Sequence, residues 1–318
     1  MNSLGLNIIF KMGCLCSKDS VTVNSKKYFL REQLGEGGFS TVYLGEEAGS
    51  KKLVAIKKII CHGMDDERVA LREAEYHEVL QHKNVLKCLD SSLTGHADPV
   101  LNSTSMVLLV LPYFPRGTLL HELERRAANQ RHMEPPEILC MFLQICEGIK
   151  AFHEAKPEPL AHRDLKTANI LLDNYNNPII MDLGSVARAR VKITGTSDAQ
   201  KLQDLAAERC SMPYRAPELW NVESYCIIDE RTDIWSLGCL LYAMCYFKSP
   251  FDAVYERGDS VALAVISGTV HFPENTPFSE DIHDLILFML RVNPMERPYI
   301  YSVIEKVTDT LAQYEGKA

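Results

Sequence analysis

Apolar and polar residues alternate along the first part of the chain, from residue 28 to residue 58. Phe29, Val42, Val54 and Ile56 belong to short runs of β-branched and aromatic residues, and glycine-rich stretches separate these runs. A period of two with such residues is typical of β-strands that bury one face. The pattern predicts an antiparallel meander of strands.

The pattern becomes helical at residue 65. Residues 65–81 contain no glycine or proline, and Val69, Tyr76 and Leu80 recur on one face at a period of 3.6 residues. This segment is predicted to form one amphipathic helix. Glu73 shares that face, so a carboxylate lies where apolar residues should be buried.

A short apolar run at residues 106–111 is stopped by Pro112, and from Leu119 onward the apolar spacing is mostly helical. The chain is therefore predicted to be an α+β protein with a small β-rich lobe, a connector at residues 112–117 and a larger α-helical lobe. A cleft between two such lobes is a natural ligand site.

Composition and charge exclude several function classes. The 318 residues are 46% hydrophobic and 24% charged, as in an ordinary globular protein, and the formal net charge of -8 gives no bulk positive field to attract nucleic acid. The longest apolar run, residues 239–247, is about half of the roughly 18 residues that a membrane span needs. The ten cysteines are scattered without a zinc-like pair, which favours a reducing, cytoplasmic compartment.

A glycine-rich stretch, GEGGFSTV at residues 35–42, lies between two predicted strands. Glycine lets backbone N–H groups approach an anion closely, so Gly35, Gly37 and Gly38 are candidates for covering phosphates. A glycine-rich hairpin turn explains the stretch about as well. The stretch is not a Walker A loop, because no Gly-Lys-Ser/Thr closes it and no helix follows.

Lys57 and Glu73 form the next candidate pair. Lys57 ends an apolar predicted strand, and Glu73 follows sixteen residues later on the apolar face of the predicted helix. A buried charge is costly unless it is paired, so Lys57 is the obvious partner. The alternative is that Glu73 lies in water at the rim of the apolar stripe.

The segment HRDLKTAN, residues 162–169, precedes a predicted hairpin with an Asn-rich turn at residues 174–177. Asn169 and Asp182 lie symmetrically about this turn and are expected side by side at its open end. Oxygen ligands of this kind suit magnesium that also binds substrate phosphates. Asp164 and Lys166 would share this end, with Asp164 accepting a hydroxyl proton and Lys166 neutralising a transferring phosphoryl group. Each residue taken singly would also fit a charged hairpin surface.

The ordered set of motifs resembles the eukaryotic protein kinase family over nearly the whole chain, from about Tyr28 to Ala312. The set comprises the glycine-rich loop, VAIK at 54–57, HRDLKTAN at 162–169, DLG at 182–184, APE at 216–218, DIWSLG at 233–238 and Arg297. The resemblance implies a bilobal protein kinase fold, with an N-lobe over 28–111, a hinge over 112–117 and a C-lobe over 118–312, between tails at 1–27 and 313–318.

The resemblance also implies cofactors and roles. ATP and Mg2+ would be bound, Lys57 would pair with Glu73 and the α/β-phosphates, and Asp164 would orient the substrate hydroxyl. Asn169 and Asp182 would hold the magnesium ions. The residues implied to contact ATP are Gly35, Glu36, Gly37, Gly38, Val42, Ala55, Lys57, Leu111, Pro112 and Phe114, the carbonyl of Pro112 and the N–H of Phe114 facing adenine.

Lys166 in the catalytic-loop motif resembles the serine/threonine-specific members, so the implied partners are protein substrates with Ser or Thr acceptors. Two positions depart from the family pattern. Ser40 replaces the third glycine of the loop, and Leu183 replaces the phenylalanine of DFG. Neither change removes a catalytic group.

Three more residues are implied to have structural roles. Glu218 and Arg297 would form the family's buried ion pair. Asp233 would brace the backbone of the catalytic loop.

The closer resemblance is to the Numb-associated kinase family, and within it to a myristoylated and palmitoylated member. It rests on LGEGGFSTV, on HRDLKTANILL with MDLGS, and on RAPELW followed by DERTDIWSLGCLLYAM. It implies an extra helix in the activation segment. Independently, Ser197 and Gln200 have the spacing of a capping box, and Leu202, Leu205 and Ala206 share a face, which predicts a helix within residues 196–209. The alternative is an exposed polar loop.

Four hydroxyl residues of the activation segment are candidate phosphorylation sites: Thr194, Thr196, Ser197 and Ser211. Ser211 precedes the APE motif and is expected to contact Asp164 and Lys166.

The segment beginning at Met12 matches the myristoylation pattern M-G-x-x-x-[ST], with Gly13 as acceptor and Cys14 and Cys16 as candidates for palmitate. Two acyl signals are enough for stable anchoring. Myristoylation requires a free glycine amine, so our hypothesis is that translation starts at Met12 in at least one form. The resemblance implies a peripheral protein of Golgi or perinuclear membranes. A short tail or a weak signal peptide is the alternative.

The leading hypothesis is an ATP-dependent serine/threonine protein kinase, and the rival is a catalytically silent kinase-fold scaffold at a membrane. The complete set of Lys57, Glu73, Asp164, Asn169 and Asp182 favours the enzyme, since a silent relative usually lacks at least one. A kinase of small metabolites is a third hypothesis. It is disfavoured because the segment around APE resembles a peptide-docking surface.

Overall fold

The computed structural model describes residues 19–37 and 40–316. The candidate acylation residues Gly13, Cys14 and Cys16, together with Gly38 of the glycine-rich loop, lie outside the described residues.

The N-terminal part of the chain forms one six-stranded antiparallel sheet, as the alternating pattern predicts. The strands are β1 (Ser20–Val23), β2 (Lys26–Glu36), β3 (Ser40–Glu47), β4 (Leu53–Cys61), β5 (Asp90–Asp98) and β6 (Ser103–Pro112), in the order β1-β2-β3-β4-β6-β5. Helix α1 (Met64–Val79) packs on β4, β5 and β6. Ala70 of this helix joins Ile59, Val107 and Leu109 in a buried cluster between helix and sheet.

The C-terminal part is mainly helical. Its helices in the described part of the chain are α2 (Leu119–Ala128), α3 (Pro135–His153), α4 (Thr196–Arg209), α5 (Arg231–Tyr246), α6 (Asp252–Glu256), α7 (Val261–Ser267), α8 (Glu280–Met289) and α9 (Ile300–Glu315). Nearly every residue of α5 is buried, because α3 and α8 pack against it. A helix that is apolar around most of its circumference belongs in the centre of a domain. The β-rich first part and helical second part confirm the expected bilobal α+β fold.

Three short antiparallel strand pairs complete the described residues of the second part. They are β7 (Leu160–Ala161) with β10 (Ala187–Arg188), β8 (Ile170–Leu172) with β9 (Pro178–Ile180), and β11 (Val191–Ile193) with β12 (Cys226–Ile228). The predicted hairpin is the second pair, with Ile170 opposite Ile180. The backbone N–H of Met181 donates to the carbonyl of Asn169 at 2.9 Å, which extends the pairing to the hairpin's open end.

The buried face of α1 differs from the prediction. Ala70, Glu73 and His77 are buried, whereas Val69 is exposed at the edge of the helix. One helical position corresponds to a rotation of about 100°, so neighbouring residues such as Val69 and Ala70 lie on different sides. The small Ala70 allows close packing on the sheet, and this tertiary contact decides the orientation. The burial of Glu73 and Leu80 is confirmed.

The predicted activation-segment helix is present as α4, but its predicted cap is wrong. Gly195 is the N-cap residue and makes no side-chain cap, while Ser197 lies inside the first turn. The hydroxyl of Thr194 instead donates to Asp198 at 2.8 Å, just outside the helix start. The predicted shared face is also only partly buried, since Ala206 is buried and Leu205 is exposed.

Among the described residues, no helix is both long enough and apolar enough to cross a bilayer.

Candidate active site

Lys57 connects the sheet, α1 and the loop after β9. Its Nζ atom lies 2.7 Å from Oε1 of Glu73 and 2.9 Å from Oδ1 of Asp182. Strand β4 and helix α1 position the first two side chains, and the end of the β8–β9 hairpin positions the third. The predicted pair of Lys57 and Glu73 is confirmed. The contact with Asp182 joins residues 125 positions apart, which sequence spacing could not reveal.

Burial and charge act in opposite directions on these three groups. Burial alone would lower the pKa of Lys57, but Glu73 and Asp182 together raise it above its usual value. Burial raises the pKa of Glu73, and Asp182 raises it further, which outweighs the effect of Lys57. Burial would also raise the pKa of Asp182, but Lys57, with smaller contributions from nearby cations, lowers it below the ordinary value. Lys57 and Asp182 are therefore held as a charged pair.

Asp182 has an unusual backbone conformation. Its φ of 64° and ψ of 77° lie in the left-handed region, which costs energy for a residue with a Cβ atom. The following loop passes close to α1, since a Cβ atom on Gly184 would lie 3.3 Å from Oε2 of Glu73 and 3.5 Å from Oδ1 of Asp182. The surrounding contacts therefore fix this loop tightly.

Asp164 is held by three neighbours. Its Oδ1 accepts the backbone N–H of Ser211 at 2.8 Å, and its Oδ2 accepts Nδ2 of Asn169 at 3.0 Å. Nζ of Lys166 lies 3.0 Å from Oδ2 and donates to the hydroxyl of Ser211 at 2.7 Å. The expected contacts of Ser211 are confirmed. The carboxylate is thus fixed between the catalytic loop and the end of the activation segment.

Asn169 and Asp182 leave the hairpin at the same end. Nδ2 of Asn169 donates to both the carbonyl and the carboxylate of Asp164. Within residues 19–37 and 40–316, Oδ1 of Asn169 and Oδ2 of Asp182 take part in no hydrogen bond, which leaves two oxygen ligands available. Over the same residues, no group of three or more His, Cys, Asp and Glu side chains is arranged to hold a metal ion.

The strand register brings the residues implied to contact ATP into neighbouring rows. Val42 is opposite both Gly35 and Lys57, and Ala55 is opposite Leu111. Glu36 ends β2, Gly37 follows it, and Pro112 ends β6 opposite Val54. Phe114 and Ala55 pack against the cluster between sheet and helix, as do Leu171 and Met181 of the hairpin. Sequence reasoning did not single out Leu171 or Met181, because an apolar residue in a short strand carries no signal of its own.

The backbone of the catalytic loop is held by Asp233 at the start of α5. This fully buried carboxylate accepts the backbone N–H of His162 at 2.8 Å and that of Arg163 at 2.9 Å. His153 lies 3.1 Å from the same carboxylate. The predicted brace is confirmed, and the buried His153 is a further part of it.

The predicted ion pair between Glu218 and Arg297 is also confirmed. The guanidinium binds both carboxylate oxygens, at 2.8 and 2.9 Å, and also donates to the backbone carbonyls of Arg231 and Arg291. The arginine side chain is fully buried. This two-pronged contact of Arg297, the Arg297 fork, therefore joins the APE segment to the chain around α5 and α9.

The candidate phosphorylation sites have different environments. Thr194, Thr196 and Ser197 are exposed around the start of α4, whereas Ser211 is half-buried against the catalytic loop.

A cavity of about 620 Å³ lies between the lobes. Gly37 and Ser40 line it from the sheet, and Asp164, Lys166 and Asp182 line it from the helical lobe. Lys57 and Glu73 line the same cavity, so the charged residues predicted for the site face one shared space. Asn169 and the residues implied to contact adenine do not line this cavity.

The Protein kinase domain family matches residues 28–307. The chain belongs to this family. The kinase is 42% identical over 287 residues to serine/threonine-protein kinase 16 of Rattus norvegicus, covering 90% of this chain and 91% of the relative, and equally identical over the same shares to that of Homo sapiens. It is 30% identical over 324 residues to serine/threonine-protein kinase ppk13 of Schizosaccharomyces pombe, covering 92% and 93% of the two chains. The family and these relatives identify a serine/threonine protein kinase.

Proposed function

We propose that this kinase transfers the γ-phosphoryl group of ATP, with Mg2+, to serine and threonine hydroxyls of protein substrates. The proposal rests on two groups of contacting side chains that meet at one cleft. Lys57 joins Glu73 and Asp182 on one side, and Asp164 joins Lys166 and Asn169 on the other.

The side chains fit the nucleotide and its metal. Asn169 and Asp182 each keep one side-chain oxygen that accepts no hydrogen bond from the described residues, and magnesium commonly takes one or two protein oxygens together with substrate phosphates. When bound there, Mg2+ supplies neutralisation of phosphate charge. Lys57, kept protonated by its two carboxylate partners, would bind the α/β-phosphates. Gly35 and Gly37 would let the backbone approach the phosphates, and Gly38 is proposed to do so from outside the described residues.

The hydroxyl of the substrate is oriented by Asp164. Its carboxylate is already fixed by hydrogen bonds, so it need not reorganise to accept the proton. Lys166, 3.0 Å from that carboxylate, would neutralise charge on the transferring group. Positioning and electrostatic stabilisation of this kind account for most of the catalysis in phosphoryl transfer.

Adenine would bind against Val42, Ala55 and Leu111, with the carbonyl of Pro112 and the N–H of Phe114 as its hydrogen-bonding partners. The first three residues lie on the adjacent strands β3, β4 and β6. Pro112 ends β6, and Phe114 lies in the connector that follows. The hinge is proposed over 112–117, with Glu36 at the edge of the nucleotide site. The N-lobe predicted over 28–111 starts too late, because β1 (Ser20–Val23) pairs with β2 in the same sheet, and the C-lobe predicted over 118–312 ends too early, because α9 runs to Glu315.

Membrane attachment is a separate part of the proposal. Gly13 would carry myristate and Cys14 and Cys16 palmitate in a form that starts at Met12, which supplies the two signals that stable anchoring needs. A Golgi or perinuclear location and membership of the Numb-associated group rest on the sequence resemblance. Metabolic labelling with a clickable myristate analogue, compared between the wild type and Gly13→Ala, tests it. Labelling that persists in Gly13→Ala would contradict the proposed acceptor.

The phosphotransferase activity is tested with purified protein, ATP and Mg2+, scored by phosphosite mass spectrometry. We expect phosphoserine and phosphothreonine in the wild type and a loss of at least a hundredfold in Asp182→Ala. Asp309→Ala, which removes an exposed carboxylate from α9, is the matched control and should keep full activity. Equal labelling of all three proteins would support the silent scaffold instead.

A further inference from the structure

The C-terminal end of α4 contacts both loops of the active site within three residues. The hydroxyl of Ser185 donates to the carbonyl of Arg209 at 3.1 Å, and Nη1 of Arg209 donates to the carbonyl of Gly184 at 3.4 Å. Two residues later, Ser211 binds Asp164 and Lys166. The end of α4 therefore lies between the loop that follows Asp182 and the catalytic loop.

The contact with Ser185 satisfies a backbone group that the helix leaves free. The last carbonyls of an α-helix have no partner within the helix, and Arg209 is the final residue of α4. Ser185 is in turn the last residue of the short 3-10 turn that begins directly after Asp182. One hydroxyl thus connects the end of a helix to the loop of the proposed metal ligand.

The loop needs such a connection because its backbone is strained. Asp182 has a φ of 64°, and a left-handed residue with a Cβ atom persists only where its surroundings hold it. The hydrogen bond from Met181 to Asn169 holds the loop on the hairpin side. Ser185 and Gly184 hold it on the opposite side, through Arg209.

We propose that Ser185 is a positioning residue, which keeps the Asp182 loop in its metal-binding geometry by fastening it to the end of α4. This inference rests on the proposed role of Asp182 as a magnesium ligand. Helix α4 would then support catalysis indirectly, without contributing a group to the reaction. Any change that loosens the end of this helix would weaken metal-dependent nucleotide binding.

The test measures the affinity for ATP with EDTA and with Mg2+, and compares the gain that magnesium provides. In Ser185→Ala we expect this gain to fall at least threefold, with the affinity in EDTA and the unfolding midpoint close to those of the wild type. Ser185→Thr keeps the hydroxyl and should keep the gain. Ser267→Ala is the matched control, because the exposed Ser267 at the end of α7 also donates its hydroxyl to a backbone carbonyl.

A second variant addresses the helix without touching a side-chain contact. Ala207 is exposed in the last part of α4, and Ala207→Gly weakens a helix while keeping its carbonyl, so it should reduce the magnesium gain in the same direction. A wild-type gain in Ser185→Ala, an equal loss in Ser185→Thr, or an unchanged gain in Ala207→Gly would overturn the proposal. Asp182→Ala is measured alongside. If it alone keeps the gain, the proposed role of Asp182 fails, and the positioning role of Ser185 is overturned with it.

Discussion

Single residues at the cleft serve two partners at once. Lys57 binds Glu73 and Asp182, and Asp182 combines this ion pair with a left-handed backbone. A substitution that keeps the shape of such a side chain but removes its charge should therefore change the activity, because the remaining charged partner shifts its contacts.

Glu73→Gln should lower kcat/KM for ATP by roughly ten- to a hundredfold, since a hydrogen bond to a charged group contributes about 1.5–3 kcal/mol. Lys57 would keep Asp182 as its carboxylate partner and would be drawn toward the proposed metal ligand. Steady-state kinetics with varied ATP measures the effect. Glu75→Gln changes an exposed residue of the same helix and should leave kcat/KM unchanged. Equal values for the two variants would contradict a role for the Lys57–Glu73 pair.

Asp233→Asn tests the brace through its dependence on pH. Burial alone would raise the pKa of Asp233, but the hydrogen bond and charge of His153, with His162 and the N–H of Arg163, lower it below the ordinary value. A lowered pKa means that the carboxylate stabilises the fold above the unfolded pKa of about 3.9, and that this stabilisation is lost as the pH falls through the folded pKa.

We therefore expect the Asp233→Asn protein to be less stable than the wild type by about 3 kcal/mol at pH 7, and this difference to shrink below about pH 4. Urea unfolding from pH 7 to pH 3 measures both quantities. Asp309→Asn, exposed on α9, should show no difference at any pH. A difference for Asp233→Asn that stays constant over this range would show that charge is not what stabilises the loop.

At the scale of elements, α4 shows what a local pattern can and cannot specify. The apolar period predicts a helix and the helix is present, but the capping-box spacing at Ser197 places its start two residues too late. The true N-cap, Gly195, has a φ of 169°, an extended conformation open to any residue. An added Cβ would meet no atom of the described residues within 4 Å. The site is therefore an uncapped helix start with room for a cap.

Gly195→Ser should raise the free energy of unfolding by about 0.5–1 kcal/mol, because serine caps a helix and reduces the freedom of the unfolded chain. Chemical denaturation measures this gain. Gly258→Ser is the contrasting control: Gly258 also has open space but a φ of 73°, so serine there should cost about 1 kcal/mol. Loss of stability in Gly195→Ser would mean that the start of α4 does not tolerate a side chain.

At the scale of the whole molecule, the buried fork of Arg297 connects segments that are far apart in sequence. Arg297→Ala leaves the Glu218 carboxylate unpaired in the interior and should cost about 3–5 kcal/mol. Arg297→Lys keeps the charge without the two-pronged geometry and should lose a smaller part. Urea unfolding tests both, with Arg291→Ala as an exposed control. An Arg297→Ala protein as stable as the wild type would contradict a stabilising role for the fork.

The two lobes and the hairpin could be predicted because each depends on nearby residues. Strand alternation and the Asn-rich turn specify local geometry, and the pairing of Ile170 with Ile180 follows from the turn itself. The side of α1 that is buried could not be predicted, because the packing of Ala70 on the sheet is a tertiary contact. The contribution of Leu171 and Met181 could not be predicted either, because it depends on their packing against the cluster between sheet and helix.

The amino-acid sequence by itself determined the two lobes, the long helices and the hairpin of the site, because periodicity, turn residues and motif spacing act over short distances along the chain. Only the tertiary structure decided which groups meet: Lys57 with Asp182, Ser185 with Arg209, and His153 with Asp233. These pairs are separated by tens of residues or more. Their contact depends on the packing of whole elements, in which the cost of burying a polar group is offset only when its partner arrives from elsewhere in the fold.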